Sequence, residues 1–253
     1  MKLGSLFSGI GGLDLGFERA GFEILWQVEK DAFCQKILRK HWPHTEIYGD
    51  VTTVDFTQVQ QVQGLIGGFP CQPVSIAGRR QGGADERWLW PEFARAICLV
   101  RPEFVCFENT TGLLTVDGGW RFCEILSDLA ALGFDAEWQP IQAAAFGAPH
   151  LRERTFLVAY PNKIGCGRSV FGLPENKQSN DPFEALPFDL GRGGFWNLLP
   201  TPRICRSYDG IPQGRNRNRG LGNAVVPQVA EFVARCIARF FERENKYAQT
   251  HPH

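Results

Sequence analysis

A cysteine held between two prolines is the strongest candidate for a nucleophile in this chain. Residues 67–73 read Gly-Gly-Phe-Pro-Cys-Gln-Pro and follow an apolar run that predicts a strand. A free cysteine is most often a small buried hydrophobe. Cys71, however, would lie at the edge of a sheet before a loop, 75–87, that is rich in glycine and arginine. An exposed thiol beside basic groups can act as a nucleophile, and we assign that role to Cys71.

Other charged side chains are expected at the same edge. Glu108 and Asn109 come at the end of a second apolar run, so they would lie close to Cys71. A carboxyl group there could hydrogen-bond the Watson–Crick edge of a cytosine and favour protonation at N3. Arg152 and Arg154 enter a later strand, where alternation puts both on one face.

A glycine-rich turn predicts a cofactor cleft. Residues 7–12 read Phe-Ser-Gly-Ile-Gly-Gly between a strand and a helix, a setting in which the backbone can approach a nucleotide-like ligand. Glu29 ends the next strand, where an acid commonly holds ribose hydroxyls, and Asp50 ends a third and could address an adenine. Either acid alone is more readily a helix cap or a surface charge. The three features in this order favour a cofactor site.

The elements that would position these residues alternate between strands and helices. The predicted strands are 3–7, 23–28, 46–48, 62–66, 104–107, 138–142 and 155–159. The predicted helices are 14–20, 32–41, 91–100 and 119–132, and Pro227 opens a last one. This rhythm indicates an α/β sheet wrapped by helices. It is lost over 161–195, which is either a small irregular lobe or a long surface loop.

The distribution of charge and the cysteine content indicate which partners and which cellular compartment suit this protein. Residues 1–150 hold 12 Lys+Arg and 18 Asp+Glu, whereas residues 151–253 hold 15 and 9. The basic half suits phosphate contacts, although a solvated loop explains the charge equally well. The eight cysteines form no CxxC pair, which indicates reduced residues and neither a disulfide frame nor a metal site. The absence of a leader or an apolar run of about 20 residues predicts a cytoplasmic protein.

Taken together, these motifs resemble those of the cytosine-C5 DNA methyltransferases of bacteria and phages. The likeness covers about 1–160 and 198–240, and adds 49–51, 85–90 and 222–225 to the motifs above. It implies a Rossmann-like, S-adenosylmethionine-dependent methyltransferase fold, with a seven-stranded sheet that is mostly parallel and has one antiparallel strand. It also implies double-stranded DNA as the substrate.

The resemblance gives the residues roles. Cys71 would add to C6 of a flipped-out cytosine, Glu108 would stabilise the N3-protonated adduct, and Arg152 and Arg154 would complete the catalytic set, with Arg154 positioning the base. The cofactor-binding residues would be Phe7, Ser8, Gly9, Gly11, Gly12, Glu29, Asp50, Val51, Pro70, Leu89, Asn223 and Ala224. The DNA-binding residues would be Gln72, Ser75, Arg79, Arg80, Arg87, Arg203, Arg206, Arg215 and Arg217.

The resemblance also divides the chain. We expect a catalytic and cofactor-binding domain over 1–160 and a reduced target-recognition lobe over 161–197. A DNA-contacting segment with the last helix would follow over 198–245, and 246–253 would be a tail. The protein is expected to act as a monomer, and a cognate restriction endonuclease could accompany it.

Three alternatives stay open. The first is an RNA-methylating enzyme like the tRNA-methylating branch of the family, although the Cys-Phe-Thr tripeptide of that branch is not found in this sequence. The second is an inactive relative that only binds nucleic acid or the cofactor. The third is an unrelated cysteine hydrolase, which is disfavoured because no histidine is evidently placed to pair with Cys71.

Overall fold

The computed structural model describes residues 1–70, 88–162, 164, 169–172 and 224–250. Two predicted site residues, Cys71 and Asn223, lie outside these ranges, as do all the predicted DNA contacts.

Within the described residues, one seven-stranded sheet forms the centre of the molecule. Its strands are β1 (Lys2–Leu6), β2 (Glu23–Val28), β3 (Glu46–Tyr48), β4 (Gly64–Gly67), β5 (Phe104–Thr110), β6 (Phe134–Gln142) and β7 (Glu153–Pro161). Their spatial order is β3-β2-β1-β4-β5-β7-β6. Only β7 runs against its neighbours, pairing antiparallel with both β5 and β6. The sequence prediction of a mostly parallel sheet with one antiparallel strand is therefore confirmed.

Helices cover both faces of this sheet. In the described part of the chain they are α1 (Gly12–Arg19), α2 (Ala32–His41), α3 (Trp90–Val100), α4 (Trp120–Ala131) and α5 (Pro227–Thr250). Local sequence explains several starts. Asp31 caps α2 by accepting hydrogen bonds from the backbone N–H groups of Phe33 and Cys34. Proline opens α5 and lies in the first turn of α3, where a missing N–H costs nothing.

Each face of the sheet packs against helices to form its own hydrophobic core. On one face, α1 and α5 pack over residues such as Leu3, Phe104 and Val158. On the other, α3 and α4 pack over Leu65, Phe107 and Leu157. Helices α1 and α5 approach closely because Gly16 has no side chain: an added Cβ would lie 2.3 Å from the Cβ of Ala230.

Strand ends differ in part from the sequence prediction. Glu108 and Asn109 lie inside β5, which continues to Thr110 because it pairs with β7 as far as Arg154. Strand β6 begins at Phe134, four residues before the predicted start. The sequence did not predict these residues because β6 is an edge strand, in which half-exposed polar residues interrupt the apolar alternation. Strand β1 ends before Phe7, whose positive φ of 55° breaks the extended backbone.

A carboxylate on β6 fixes the first segment beyond β7. Oε1 of Glu137 accepts hydrogen bonds from the hydroxyl of Tyr160 at 2.7 Å and from the backbone N–H of Val170 at 3.0 Å. The buried side chain of Val170 joins the core beneath α5. This places residues 169–172 beside the edge of the sheet, at the level of Glu137.

No described helix is both long enough and apolar enough to cross a membrane. Among the same residues, no group of three or more His, Cys, Asp or Glu side chains is arranged to hold a metal ion.

Candidate active site

The glycine turn at the start of the chain has an unusual backbone. Phe7, Gly9 and Gly11 have positive φ angles of 55°, 56° and 83°. A left-handed residue other than glycine is uncommon, so the Phe7 conformation is held by its surroundings. The N–H of Ser8 donates to the carbonyl of Val28 at 3.1 Å, which ties the turn to the end of β2.

Glu29 is joined directly to this turn. Its Oε2 accepts a hydrogen bond from the N–H of Gly9 and its Oε1 accepts one from the N–H of Asp31, both at 2.7 Å. Each carboxylate oxygen can accept a second hydrogen bond, and the side chain is only partly buried. Glu29 thus fixes the turn and keeps acceptor capacity for hydroxyl groups.

Asp50 follows the neighbouring strand. Its carboxylate lies 2.6 Å from Nζ of Lys30 and accepts hydrogen bonds from the N–H and hydroxyl of Thr52. The hydrogen bond from Lys30 and those from Thr52 lower the pKa of Asp50 to about 2. Asp50 therefore caps the short 3-10 turn Val51–Thr53 and is ionised at neutral pH. An ionised carboxylate can accept a hydrogen bond from an amino group such as that of adenine.

The remaining predicted cofactor residues surround this region. Val51 is buried, Leu89 is partly buried at the start of α3, and Pro70 is exposed after β4. Ala224 precedes Val225, whose carbonyl oxygen lies so close to α1 that a Cβ on Gly12 would be 2.4 Å from it. The segment that enters α5 therefore contacts the end of the glycine turn.

These residues fit an adenosine-bearing cofactor. A Cβ built on Gly9 meets nothing within 4 Å, so open space lies beside the turn. The region offers partly exposed carboxylates, which accept hydrogen bonds from ribose hydroxyls and an amino group, and a glycine backbone that lets a ligand approach closely. S-Adenosylmethionine has both of these.

Glu108 is the buried acid of the site, with 7% of its surface exposed. Its Oε1 lies 2.9 Å from Nε of Arg154. Burial raises the pKa of Glu108, and the positive charges of Arg154 and Arg152 oppose that rise. Gly68 leaves room for the carboxyl group, since an added Cβ would lie 3.3 Å from its Oε2. The result is a buried carboxyl group whose pKa is raised by burial and which is held in place by Arg154.

The two arginines lie on the same side of the sheet as Glu108. Arg154 is the second residue of β7, whereas Arg152 precedes that strand. Burial and the charge of Arg154 lower the pKa of Arg152. A small recess is lined by Arg152 and Arg154 together with Ile141, Phe156 and Val225. The predicted placement of the arginines on one face is confirmed.

Asn109 connects Glu108 to the turn that leads to Cys71. Its Nδ2 donates to the carbonyl of Phe69 at 3.1 Å, and its Oδ1 accepts from the N–H of Thr110 at 2.8 Å. The ring of Phe69 is buried against Trp88, Trp90 and other aromatic rings. The chain is therefore fixed two residues before Cys71, and it is fixed to the strand that carries Glu108.

Sequence reasoning missed three contributors to this arrangement: Asn109 as an anchor, Gly68 as the space beside Glu108, and Arg95, which contacts the segment after Asp50. Asn109 could have been identified, because it adjoins Glu108 and is itself a polar residue in a buried strand. The partners of Arg95 and Gly68 are distant in sequence and leave no local signal.

Comparison with known proteins agrees with this geometry. The model of the C-5 cytosine-specific DNA methylase family matches residues 1–185. The type II methyltransferase M.FnuDI of Fusobacterium nucleatum is 28% identical over 250 residues, covering 98% of this chain and 68% of that protein. M.Eco47II of Escherichia coli is 39% identical over 166 residues, covering 64% of this chain and 40% of that protein. The chain thus matches only part of the length of these curated relatives.

A solved structure shares the fold. A protein described as a DNA modification methyltransferase encoded within an Escherichia coli prophage superposes with a TM-score of 0.67 at 19% identity. The match covers 96% of this chain and 99% of that one. With the family model matching most of the sequence, this chain belongs to the C-5 cytosine-specific DNA methylase family.

Proposed function

We propose that this chain is a DNA (cytosine-5-)-methyltransferase that transfers the methyl group of S-adenosylmethionine to C5 of a flipped-out cytosine. The observation that carries the proposal is the buried Glu108, held 2.9 Å from Arg154 on the neighbouring strand. Asn109 ties the same strand to the turn that leads into Cys71. Addition of a thiolate to a pyrimidine requires an acid and a cation, and Glu108 and Arg154 would supply them beside the turn that leads into Cys71.

Cys71 starts the reaction in this proposal. C5 of cytosine is a poor nucleophile, and the thiolate of Cys71 activates it by forming a bond to C6. Electron density moves to C5 and towards N3, where the protonated carboxyl group of Glu108 donates its proton. Burial favours the protonated form of that carboxyl group, and Arg154 stabilises the carboxylate once the proton has left.

The bound cofactor supplies an electrophilic methyl group. C5 would take this methyl group, leaving S-adenosylhomocysteine, and would then lose its own proton to solvent water. The electron pair of the C5–H bond would expel Cys71 from C6 as the thiolate. Glu108 recovers the proton from N3. Glu29 would hold the ribose and Asp50 the adenine, while Arg154 would orient the base. Flipping the cytosine out of the duplex costs a few kcal/mol.

Trapping tests the nucleophile. A duplex with 5-fluorocytosine at the target position cannot lose a proton from C5, so the enzyme should remain covalently attached after denaturation. Cys71→Ala should form no adduct and transfer no methyl group, yet should bind S-adenosylhomocysteine as the wild type does. Methyl transfer by Cys71→Ala would exclude the mechanism.

Substrate choice is tested separately. Purified protein is incubated with tritiated S-adenosylmethionine and either duplex DNA or tRNA, and nucleosides from each are separated. Label in 5-methyldeoxycytidine is expected. Label only in 5-methylcytidine from tRNA would reassign the enzyme to the RNA-methylating branch, and no label in either would make it a binding protein.

Sequence specificity is the finer part of the proposal. The reduced lobe at 161–197 would read bases, and Arg203, Arg206, Arg215 and Arg217 would bind phosphates; these arginines and most of the lobe lie outside the described ranges. Bisulfite sequencing of plasmid methylated by the wild type and by a lobe-deleted variant tests this. A changed pattern is expected, and an identical one would show that this lobe is not the reader. A restriction endonuclease of matching specificity is the expected partner.

A further inference from the structure

We propose that Arg95 is a positioning residue for the cofactor pocket: its guanidinium group holds the turn that carries Asp50 and Val51 against α3. The inference rests on the proposed function, in which Asp50 receives the adenine end of the cofactor. Arg95 itself touches the backbone of the turn.

The guanidinium group makes four contacts. Nη2 donates to the carbonyl of Val51 at 2.7 Å and Nη1 donates to the carbonyl of Val54 at 3.0 Å. Nε lies 2.8 Å from Oε2 of Glu92, one turn earlier on the same helix. The carbon between the three nitrogens lies 4.8 Å from the centroid of the Phe56 ring.

These contacts add to the other interactions of the turn, which include the burial of Val51 and Val54, the ion pair of Asp50 with Lys30 and the hydrogen bonds from Thr52 to Asp50. Strand β3 has three residues and the 3-10 turn after it also has three, and the side chains of Thr52 and Thr53 are exposed. A short edge strand followed by a turn with two exposed side chains opens at low free-energy cost. The bridge from Arg95 spans 41 and 44 residues of sequence and joins the turn to a buried helix.

The fork of an arginine is needed for this geometry. Two parallel N–H groups reach two carbonyls at once, whereas a lysine ammonium is a point charge on a flexible stem. The ion pair with Glu92 has both side chains partly exposed, so it contributes little by itself. The hydrogen bonds to Val51 and Val54 are therefore the contacts through which Arg95 would act on the position of Asp50.

Two substitutions of Arg95 and one control separate these contributions. Arg95→Gln removes the fork and the charge, Arg95→Lys keeps the charge alone, and Glu92→Gln removes the ion pair but leaves both bonds to the turn. Each full-length variant is assayed for KM of S-adenosylmethionine, KM of DNA and kcat, and titrated with S-adenosylhomocysteine by calorimetry. Circular dichroism confirms that each is folded at the assay temperature.

We expect Arg95→Gln and Arg95→Lys to weaken the binding of S-adenosylhomocysteine and to raise the KM for S-adenosylmethionine about tenfold. The KM for DNA and the kcat at saturating cofactor should stay within about twofold of wild type, as should every constant of Glu92→Gln. Unchanged cofactor affinity in Arg95→Lys would overturn the inference, as would equal losses in all three constants.

A double-mutant cycle with Asp50→Ala shows whether Arg95 acts through that residue. If it does, the loss in Arg95→Gln should largely disappear in the Asp50→Ala background, whereas independent effects multiply. Failure of the proposed function is distinguishable: unchanged affinity in both Asp50→Ala and Glu29→Ala would show that the pocket is misplaced. Weak binding in those two, with wild-type binding in both Arg95 variants, would remove only the role of Arg95.

Discussion

Arg154 on β7 places its Nε 2.9 Å from Oε1 of Glu108 on β5, and the two strands are antiparallel. The antiparallel pairing makes this contact local to one edge of the sheet, because β5 ends where β7 begins. Burial of this carboxyl group favours its neutral form while Arg154 and Arg152 favour its charged form, and an acid that gives and recovers a proton uses both forms.

Glu108→Gln should therefore reduce kcat by about 10²–10⁴-fold, since an amide fills the same space but cannot deliver a proton. Affinity for S-adenosylhomocysteine should be unchanged. Single-turnover methyl transfer and calorimetry measure the two effects. Glu103→Gln, at an exposed carboxyl group just before the same strand, is the matched control. A variant of Glu108 with kcat near wild type would remove this residue from the chemistry.

Asn109→Ala should leave the carbonyl of Phe69 without its side-chain donor. We expect a loss of about 1–3 kcal/mol in the free energy of unfolding and a larger relative loss of kcat, because the turn before Cys71 is no longer held to β5. Urea denaturation and steady-state kinetics give the comparison. Thr110→Ala, at the next and exposed residue, should leave kcat nearly unchanged. A destabilised Asn109→Ala with normal kcat would show a purely structural role.

Asp14 and Gln27 should give the protein a pH-dependent stability. Nε2 of Gln27 donates to Oδ1 of Asp14 at 2.8 Å. Among the described residues, Oδ2 of Asp14 and Oε1 of Gln27 have no hydrogen-bond partner. One proton on Oδ2 would satisfy both as an acid–amide pair. Burial raises the pKa of Asp14 to about 6, opposed by the hydrogen bond from Gln27.

The stability that Asp14 contributes decreases as the pH rises, because the folded protein binds the proton more tightly than the unfolded chain does. An unfolded aspartate titrates near pH 4, so between about pH 4 and pH 6 the folded protein keeps a proton that the unfolded chain has lost. The contribution is complete below pH 4 and is lost as the pH rises through 6, by about 3 kcal/mol in total. Asp14→Asn makes the same pair without a proton and should lack this decline in urea denaturation at pH 4.5 and pH 8. Glu23→Gln, at an exposed carboxyl group, should retain it.

Gly16→Ala should separate α1 from α5. The added Cβ would meet the Cβ of Ala230 at 2.3 Å and the carbonyl oxygen of Pro227 at 2.7 Å. Such overpacking typically costs about 1–3 kcal/mol, and we expect a lower melting temperature. Gly49→Ala is the comparison, because nothing lies within 4 Å of its added Cβ. Equal melting temperatures for the two variants would mean that the α1–α5 contact is easily displaced.

Residues with local signals were predicted well. The starts of α2 and β2 agree with the sequence because a capping aspartate and a β-branched or aromatic run are both local features. The sheet edge that carries Glu29, Asp50 and Glu108 followed from the rule that sites lie where parallel strands end.

Residues whose environment comes from distant segments were not predicted. Asp14 was only part of a helical pattern, and its burial depends on Gln27 from a neighbouring strand. Arg95 resembled any charged residue on an amphipathic helix, yet the two carbonyl groups to which it donates precede it by more than forty residues. Glu29 and Asp50 were interpreted as either ligands or caps. Asp50 does cap a 3-10 turn, and Glu29 accepts hydrogen bonds from the N–H groups of Gly9 and Asp31, while both side chains stay partly exposed.

The reversed direction of β7 sets a minimum length for the linker that would join a recognition module to the sheet. Strand β7 begins beside Arg154, at the end of the sheet that carries the candidate site. The chain therefore leaves the sheet at the opposite end of β7, after Pro161. The hydrogen bond from Val170 to Glu137 shows that the return has begun by that residue. From the level of Glu137 to that of Gln142, five strand residues or about 17 Å remain. A replacement module grafted after Gly172 therefore needs a linker of about five extended residues before it can reach bound DNA.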